Sequence, residues 1–287
     1  MLSVSTLKAT AKSAATLCVI AALAGCATYD EDARMLSGDV RSESEICRSQ
    51  LIGSSGSAHD ELDSSDIRLV NWNIQKGGDP DWAADLEAFE DNPHLMVLQE
   101  VPFNTTVWDA VADDGYQSFA PGYRTSQAIT GVMTVSAAKP ITQCNLVSVE
   151  PWIRSAKATV ITQYGLTNTD QTLLVVNIHA VNFTFGIRDF GDQIREAISV
   201  IHDHPGPILL SGDFNTWHWR RSRVLDELTD SLNLTTLNFE DDYRKRVFGQ
   251  PLDHIYVRGL DVIEATTRQV SSSDHNPMSA RLHMYSE

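Results

Sequence analysis

The sequence is short of positive charge, of cysteine and of long apolar runs. It carries 22 Lys and Arg against 38 Asp and Glu, a formal net charge of -16 over 287 residues. A surface of that sign repels polyanions and disfavours strong non-specific nucleic-acid binding. It leaves room for a local basic rim. Arg220, Arg221 and Arg223 form one cluster, and Arg244, Lys245 and Arg246 another. These read equally as solvated faces and as phosphate-steering patches. Beyond the N-terminal leader no segment is long and apolar enough for a transmembrane helix. No internal repeat is visible. Of the 4 cysteines, Cys18 and Cys26 belong to the leader, which leaves Cys47 and Cys144. In an oxidising compartment these two either pair or stay separate thiols, and spacing alone leaves both open. No Cys/His set suggests zinc.

Residues Met1 to Gly25 carry Lys8 and Lys12, then an apolar run from Ala14 to Ala24. A positive region followed by a short hydrophobic one is a signal-peptide pattern. The run ends in Leu23-Ala24-Gly25-Cys26, which resembles the bacterial lipoprotein box. That resemblance implies a lipidated Cys26, a membrane-anchored chain in the bacterial envelope, and a domain facing the periplasm. An ordinary secretory signal with a chance cysteine, or a cytoplasmic chain, is the alternative. Residues 26–66 are rich in Asp, Glu, Ser and Gly and read as an acidic tether, with a brief helix around Glu43 to Leu51. The roughly 220 residues from Ile67 to Glu287 suit one α/β domain, expected as a monomer.

Within that domain the apolar runs Ile67–Ile74, Leu95–Glu100, Gly131–Ser136, Ala158–Tyr164, Leu173–His179, Ile208–Asp213, Asp253–Val257 and Ser279–Met284 read as strands. Asp81 to Asp91 has helical composition. Phe190, Ile194, Ile198 and Ile201 recur at helical spacing, so Arg188 to Asp203 is an amphipathic helix stopped by Pro205-Gly206-Pro207. Arg223 to Leu232 is a shorter one. Some strands follow one another directly and others are separated by helices. This order predicts two packed sheets with helices outside.

The informative feature is where polar residues fall. Asn73, Glu100, His179, Asp213 and Asn215 sit at or just past the ends of apolar strands. Asp253 opens a strand, and Asp274-His275 lies in the loop before another. Rigid strand ends bring distant residues together. Each has a plainer reading: a solvated strand end for Glu100, an Asx turn for Asp213-Phe214-Asn215, a structural imidazole for His179. Together they describe a metal and water site.

The motifs Trp72-Asn73-Ile74, Leu98-Gln99-Glu100, Asn177-Ile178-His179, Gly212-Asp213-Phe214-Asn215, Leu252-Asp253-His254 and Ser273-Asp274-His275-Asn276-Pro277 resemble, in this order, the endonuclease/exonuclease/phosphatase superfamily. Their span covers essentially the whole of the domain. The resemblance implies a DNase I-like, four-layer α/β/β/α sandwich of two mixed β-sheets flanked by helices. It implies a phosphodiester or phosphomonoester hydrolase, nuclease-like by default, that uses Mg2+ or Mn2+. Glu100 would bind the metal with Asn73 nearby and Asp274 in the shell. Asp213 would orient or deprotonate water, with Asn215 holding it or a phosphate oxygen. His275, steered by Asp253, would contact the phosphoryl group or assist proton transfer, and His179 would bind the scissile phosphate. A narrower similarity, carried by Ser136-Ala137-Ala138, His179-Ala180-Val181-Asn182-Phe183 and Phe248-Gly249-Gln250-Pro251-Leu252-Asp253, is to the YafD-like bacterial branch.

Gln75 stands where the abasic-site repair enzymes of that superfamily carry an aspartate, and His179 follows Asn177-Ile178 where they have an asparagine-rich motif. Both departures point away from abasic-site repair. Nucleic acid and phospholipid remain the candidate substrate partners, and a non-catalytic binding module with the same fold is the competing class. Arg154 is a weaker phosphate-clamp candidate. Trp217 and Trp219 suit base stacking, a membrane interface or partial burial.

Overall fold

The computed structural model describes residues 40–53, 60–89, 92–111, 115–126 and 128–285. The leader and Cys26 lie outside the described residues. Two curled sheets form the centre. In the first, of six strands, the order is β14 (Leu260–Thr267), β15 (Met278–Met284), β2 (Ile67–Asn73), β3 (Leu95–Pro102), β5 (Ile129–Ser136) and β4 (Tyr116–Arg124). In the second, of seven, it is β1 (Glu61–Leu62), β7 (Ala156–Leu166), β8 (Thr172–His179), β9 (Ile208–Asp213), β13 (Asp253–Arg258) and β10 (Thr235–Thr236), with β6 (Thr142–Val149) also paired to β7. The pairs β2–β3 and β8–β9 are parallel, while β9–β13 and β3–β5 are antiparallel. Both sheets are therefore mixed, as expected. A separate hairpin, β11 (Arg246–Val247) and β12 (Gln250–Pro251), stands beside the second sheet.

Side-chain alternation explains the layers. Leu69, Leu95, Val97, Leu173, Val175, Leu209, Ile255 and Val257 face the space between the sheets and share one buried core. Their neighbours in sequence turn outward. Val70, Trp72, Met96, Leu98, Met133 and Val135 pack under α2 (Trp82–Phe89) and α3 (Thr105–Ala110). Leu174, Val176, Ile178, Ile208 and Leu210 pack under α4 (Arg188–Ile201) and α5 (Trp219–Asp230). On α4 the predicted stripe Phe190, Ile194, Ile198 and Ile201 is the buried face. Each such side chain contributes about 1.5–3 kcal/mol on burial.

Part of the stretch read as a tether is folded onto the domain. Helix α1 (Val40–Gly53) inserts Cys47 and Leu51 into the core beneath α4, and Cys47 forms a disulfide with Cys144 on β6. Strand β1 pairs with the end of β7, placing Leu62 opposite Leu166. Polar composition concealed this because a covalent bond and a few apolar contacts, not a full amphipathic face, hold the segment.

One polar connection crosses the apolar centre. Gln99 Nε2 on β3 donates to Asn177 Oδ1 on β8 at 2.9 Å and to Asn71 Oδ1 on β2 at 3.1 Å. Asn177 Nδ2 answers by donating to Met133 O at 2.9 Å and Leu98 O at 3.2 Å. All three amides are buried.

Two stability outcomes are expected. Gln99→Leu orphans two buried amide oxygens, each costing about 1–3 kcal/mol, so urea denaturation should show a loss of at least about 2 kcal/mol. The Cys47→Ser, Cys144→Ser double variant opens a loop with a sequence separation of 97. It should lose about 2–4 kcal/mol, and reductant should then have no further effect.

Candidate active site

The site is a rung of the ladder. Along β8, the inner face runs Leu173, Val175, Asn177, His179; along β9 it runs Leu209, Ser211, Asp213. In register, His179 lies beside Asp213, and Asp213 beside Asp253 on β13. Three adjacent strands thus end their inner faces on an imidazole and two carboxylates in one row. Opposite, β2 ends its inner face on Asn73, paired in register with Gln99. Asn73 Nδ2 reaches across the sheets and donates to Asp213 Oδ2 at 3.0 Å.

Asp213 is the hub. Its Oδ1 accepts from the Asn215 backbone N–H at 2.9 Å, an Asx turn that holds Asn215 at φ 50°. Asn215 Nδ2 donates to Ala180 O at 2.9 Å, which ties the turn to the end of β8. Asp213 Oδ2 lies 3.6 Å from His179 Nε2 and 3.8 Å from His275 Nε2. Gly212, at φ 151°, has no room for a side chain, because a Cβ would fall 1.9 Å from Ile178 O. The motif glycine is thus required by close strand approach.

His275 comes from the loop before β15, and that loop is pinned to β2. Ser273 Oγ donates to Asn73 O at 2.7 Å, and Trp72 Nε1 donates to His275 O at 2.8 Å. The ring Nδ1 meets Asp253 Oδ2 at 2.8 Å. Burial works against a charged imidazole, but Asp253 and Asp213 outweigh it and hold His275 well above the usual imidazole range. Burial raises Asp213 above the usual carboxylate range, with His275 opposing and Asp253 adding to the rise.

His179 is in the other state. Burial, then Lys157, push its pKa well below the usual value. Its Nε2 lies 2.8 Å from Lys157 Nζ and so accepts from the ammonium, and its approach to Asp213 is not an ion pair. Sequence reading missed Lys157, whose ammonium stands against His179 at this end of the cleft. Its signal was present: a lysine at the second residue of a strand, β7, whose every other residue is buried. Lys157 Nζ also sits 5.3 Å from the centre of the Tyr123 ring, a cation–π distance.

Glu100 reaches the cleft by a different route. Strand alternation places it on the outer face with Met96 and Leu98. The β3–β5 register shifts between Leu98 and Val101, and Glu100 takes φ 54°. Such bulges re-aim side chains beside active sites. The carboxylate is 17% exposed and accepts from Lys76 Nζ at 2.7 Å. Burial opposes its charge, but His179, Lys157 and Lys76 hold the carboxyl below the usual range. With His179 neutral, the two ammonium groups carry that effect.

The ligand atoms of Asp213, Asp253 and His275 lie within 4.8 Å of one another. With Asp253 on its Nδ1 and Asp213 facing its Nε2, His275 joins the two carboxylates as an acid–imidazole relay. A hard oxygen suited to Mg2+ or Mn2+ is offered by the partly exposed Glu100 carboxylate, whose charge Lys76 answers. The donor chemistry fits a divalent cation. Asp274 is exposed at the rim and stands outside the buried cluster, its charge felt at His275.

Other expected features resolve differently. Arg221 is neither a solvated nor a phosphate-steering residue: it is 1% exposed, lies 4.9 Å from the Phe190 and Trp217 ring centres, and donates to Val181 O, Asn182 O and Asn215 O. Arg223 pairs with Glu227, and Arg244 and Arg246 both pair with Asp242. Arg154 is exposed in the turn before β7. His254, neutral because burial and then Arg244 push it down to about 3, supports the turn through Thr216 and is not in the row. Gln75 is exposed and donates its backbone N–H to Asn73 Oδ1.

Known proteins share the architecture. The catalytic domain of human Nocturnin, solved with a bound sulfate anion, superposes with a TM-score of 0.61 at 17% identity, covering 78% of this chain and 96% of that one. An endonuclease/exonuclease/phosphatase from Bacteroides vulgatus gives 0.60 at 14%, covering 77% and 100%. ANGEL2, a 2',3'-cyclic phosphatase in complex with adenosine-2',3'-vanadate, gives 0.59 at 12%, covering 80% and 99%. At these identities the structures establish the fold, which is DNase I-like. The family model described as "Endonuclease/Exonuclease/phosphatase family" matches residues 70–275, a span that holds the whole row of polar strand ends. The chain belongs to the endonuclease/exonuclease/phosphatase family and is a phosphoester hydrolase.

Proposed function

We propose that the protein is a divalent-metal-dependent phosphodiesterase held at the bacterial envelope. The observation that carries the catalytic part is the registered row His179–Asp213–Asp253, closed from the facing sheet by Asn73 and from a pinned loop by His275. A non-catalytic module has no need to hold buried, partly opposed charges at such cost.

Asp213 takes the proton of the attacking water, and Asn215 fixes the turn that aims it. The water oxygen forms the new bond to phosphorus as the ester P–O bond breaks. His275, kept protonated and oriented by Asp253, stabilises the charge gathering on the phosphoryl oxygens. Lys157, against His179, supplies a second positive donor from the other end of the cleft. A Mg2+ or Mn2+ bound by Glu100 with Asn73, and with Asp274 completing its shell, would act as a Lewis acid on the phosphoryl oxygen and the departing oxyanion.

Envelope attachment is proposed from Leu23-Ala24-Gly25-Cys26. Labelled palmitate should enter the wild type and not Cys26→Ser; equal labelling of both, or of neither, rejects the anchor.

Hydrolysis of bis(p-nitrophenyl) phosphate tests the chemistry. Turnover should require Mg2+ or Mn2+ and stop with EDTA. Asp213→Asn and His275→Ala should each lower kcat by about 10²–10⁴-fold, and Lys157→Met by about 10²–10³-fold. Asp213 is a carboxylate whose pKa is raised on folding, so its ionisation opposes the fold as pH rises. Asp213→Asn should therefore leave Tm equal or higher while removing turnover. Lost turnover with a collapsed Tm would instead mark it as structural.

The pH profile of kcat/KM has a stated sign. Activity rises as Asp213 ionises, so the acid limb should lie above the ordinary carboxylate range. Activity falls as His275 loses its proton, so the alkaline limb should lie well above 6.5. An alkaline limb near 6.5 would show that His275 is not the protonated partner.

A further inference from the structure

The rim of the cleft carries apolar rings that the hydrolytic chemistry does not use. Trp152 in the turn before β7 is 67% exposed, Phe185 in the loop before α4 is 77% exposed, and Phe248 in the β11–β12 turn is 85% exposed. Phe183 is 54% exposed. With Trp217 and Asn215 they line a groove of about 570 Å³. That is a ligand-sized volume. Asn215 belongs to the Asp213 turn, so the groove opens directly from the water-activating end of the site.

The rings are displayed by a braced backbone. Glu150 Oε1 accepts the backbone N–H groups of Asn182 and Phe183. Buried Arg221 grips Asn182 O at 2.9 Å and Thr184 Oγ1 at 2.7 Å. Trp152 and Phe185 meet edge to face at 5.0 Å. A contiguous apolar patch held open to water marks an interaction surface.

Base stacking and hydrocarbon insertion are the two uses of such rings. A stacking platform works with cations that track the phosphate backbone. The groove lining contains no lysine or arginine among the described residues. Two nearby cations are turned away from it: Arg221 points inward and Arg246 pairs with Asp242. The chain's net charge of -16 repels a polyanion. Exposed Trp and Phe rings beside an uncharged groove suit hydrocarbon at a membrane surface.

We infer that the groove receives the hydrocarbon portion of a phospholipid drawn from a bilayer, with its phosphate placed at Asn215, Asp213 and His275. This rests on the phosphodiesterase reading of the cleft and narrows it to amphiphilic phosphoesters. The rings dip into the lipid surface while the acidic remainder of the chain stays in water.

The test uses the full chain carrying Cys26→Ser, so that no lipid anchor contributes. Vesicles of phosphatidylcholine and phosphatidylethanolamine in equal parts, which carry no net charge, are assayed for flotation and for headgroup release. Bis(p-nitrophenyl) phosphate and a single-stranded oligonucleotide are assayed alongside. Phe185→Ser with Phe248→Ser, both at exposed positions, should reduce flotation and headgroup release by about tenfold or more. Turnover of the small soluble diester should change less than about twofold, since neither ring touches the reacting atoms. Vesicle binding and hydrolysis unchanged by the substitutions overturn the inference, as does oligonucleotide cleavage that falls in their place. Absence of soluble-diester turnover in the unsubstituted protein is a different failure: it removes the phosphodiesterase reading, while ring-dependent flotation still reports on the groove.

Discussion

The two sheets are held in register by a buried amide bridge, and the chemistry stands one rung above it. Gln99 from the first sheet donates to Asn177 from the second, and Asn177 donates back to the first sheet's Leu98 and Met133 carbonyls, within a largely hydrocarbon interface. Hydrocarbon packing tolerates sliding; paired amides do not, because displacement leaves them unsatisfied in a medium that offers no water. On the same inner faces lie Asn73, in register with Gln99 on the neighbouring strand, and His179, two residues past Asn177. The bridge thus sets the separation across which Asn73 meets Asp213. The alternation that hides leucines and valines below also aims the polar groups above.

Charge is partitioned across the cleft in a way that composition alone hides. One end of the cleft holds Lys76 and Lys157 around Glu100 and Tyr123. The other end holds Asp213, Asp253 and His275. Two histidines of similar burial are pushed in opposite directions, His179 down by burial and Lys157, and His275 up by Asp253 and Asp213 against its burial. An acceptor for a water proton and a cationic surface for a phosphoryl group are therefore a few ångströms apart. An acidic chain can hold an anion locally because Lys157 and His275 are buried where solvent screens them little.

Much of this was readable in the sequence. Long apolar runs marked the central strands, and polar residues at their ends marked the site, because the alternation that builds a core also exposes its own exceptions. What escaped detection was set by tertiary context. Strand β4 contains Pro121-Gly122 beside a register shift, β6 is largely polar, and β14 is an exposed edge, so none reads as a strand. Glu100 was found by motif, but its approach depends on a bulge that inverts the simple alternation. Lys157 was overlooked because a lone lysine at a strand start reads as a solvated end. Arg221 looked like surface charge, and only its ring sandwich and carbonyl partners reveal a buried clamp. The meeting of Cys47 with Cys144 was left open by spacing.

The rim and the row belong to different kinds of architecture. His179, Asp213 and Asp253 are rungs, and insertion or deletion of one residue in β8, β9 or β13 would turn the catalytic face towards the helices. Trp152, Phe185 and Phe248 sit on connections, the last on a hairpin outside both large sheets. Changes of length there leave the ladder untouched. Descendants of such a chain can therefore lengthen, shorten or exchange these turns and acquire new substrates while inheriting the hydrolytic row intact.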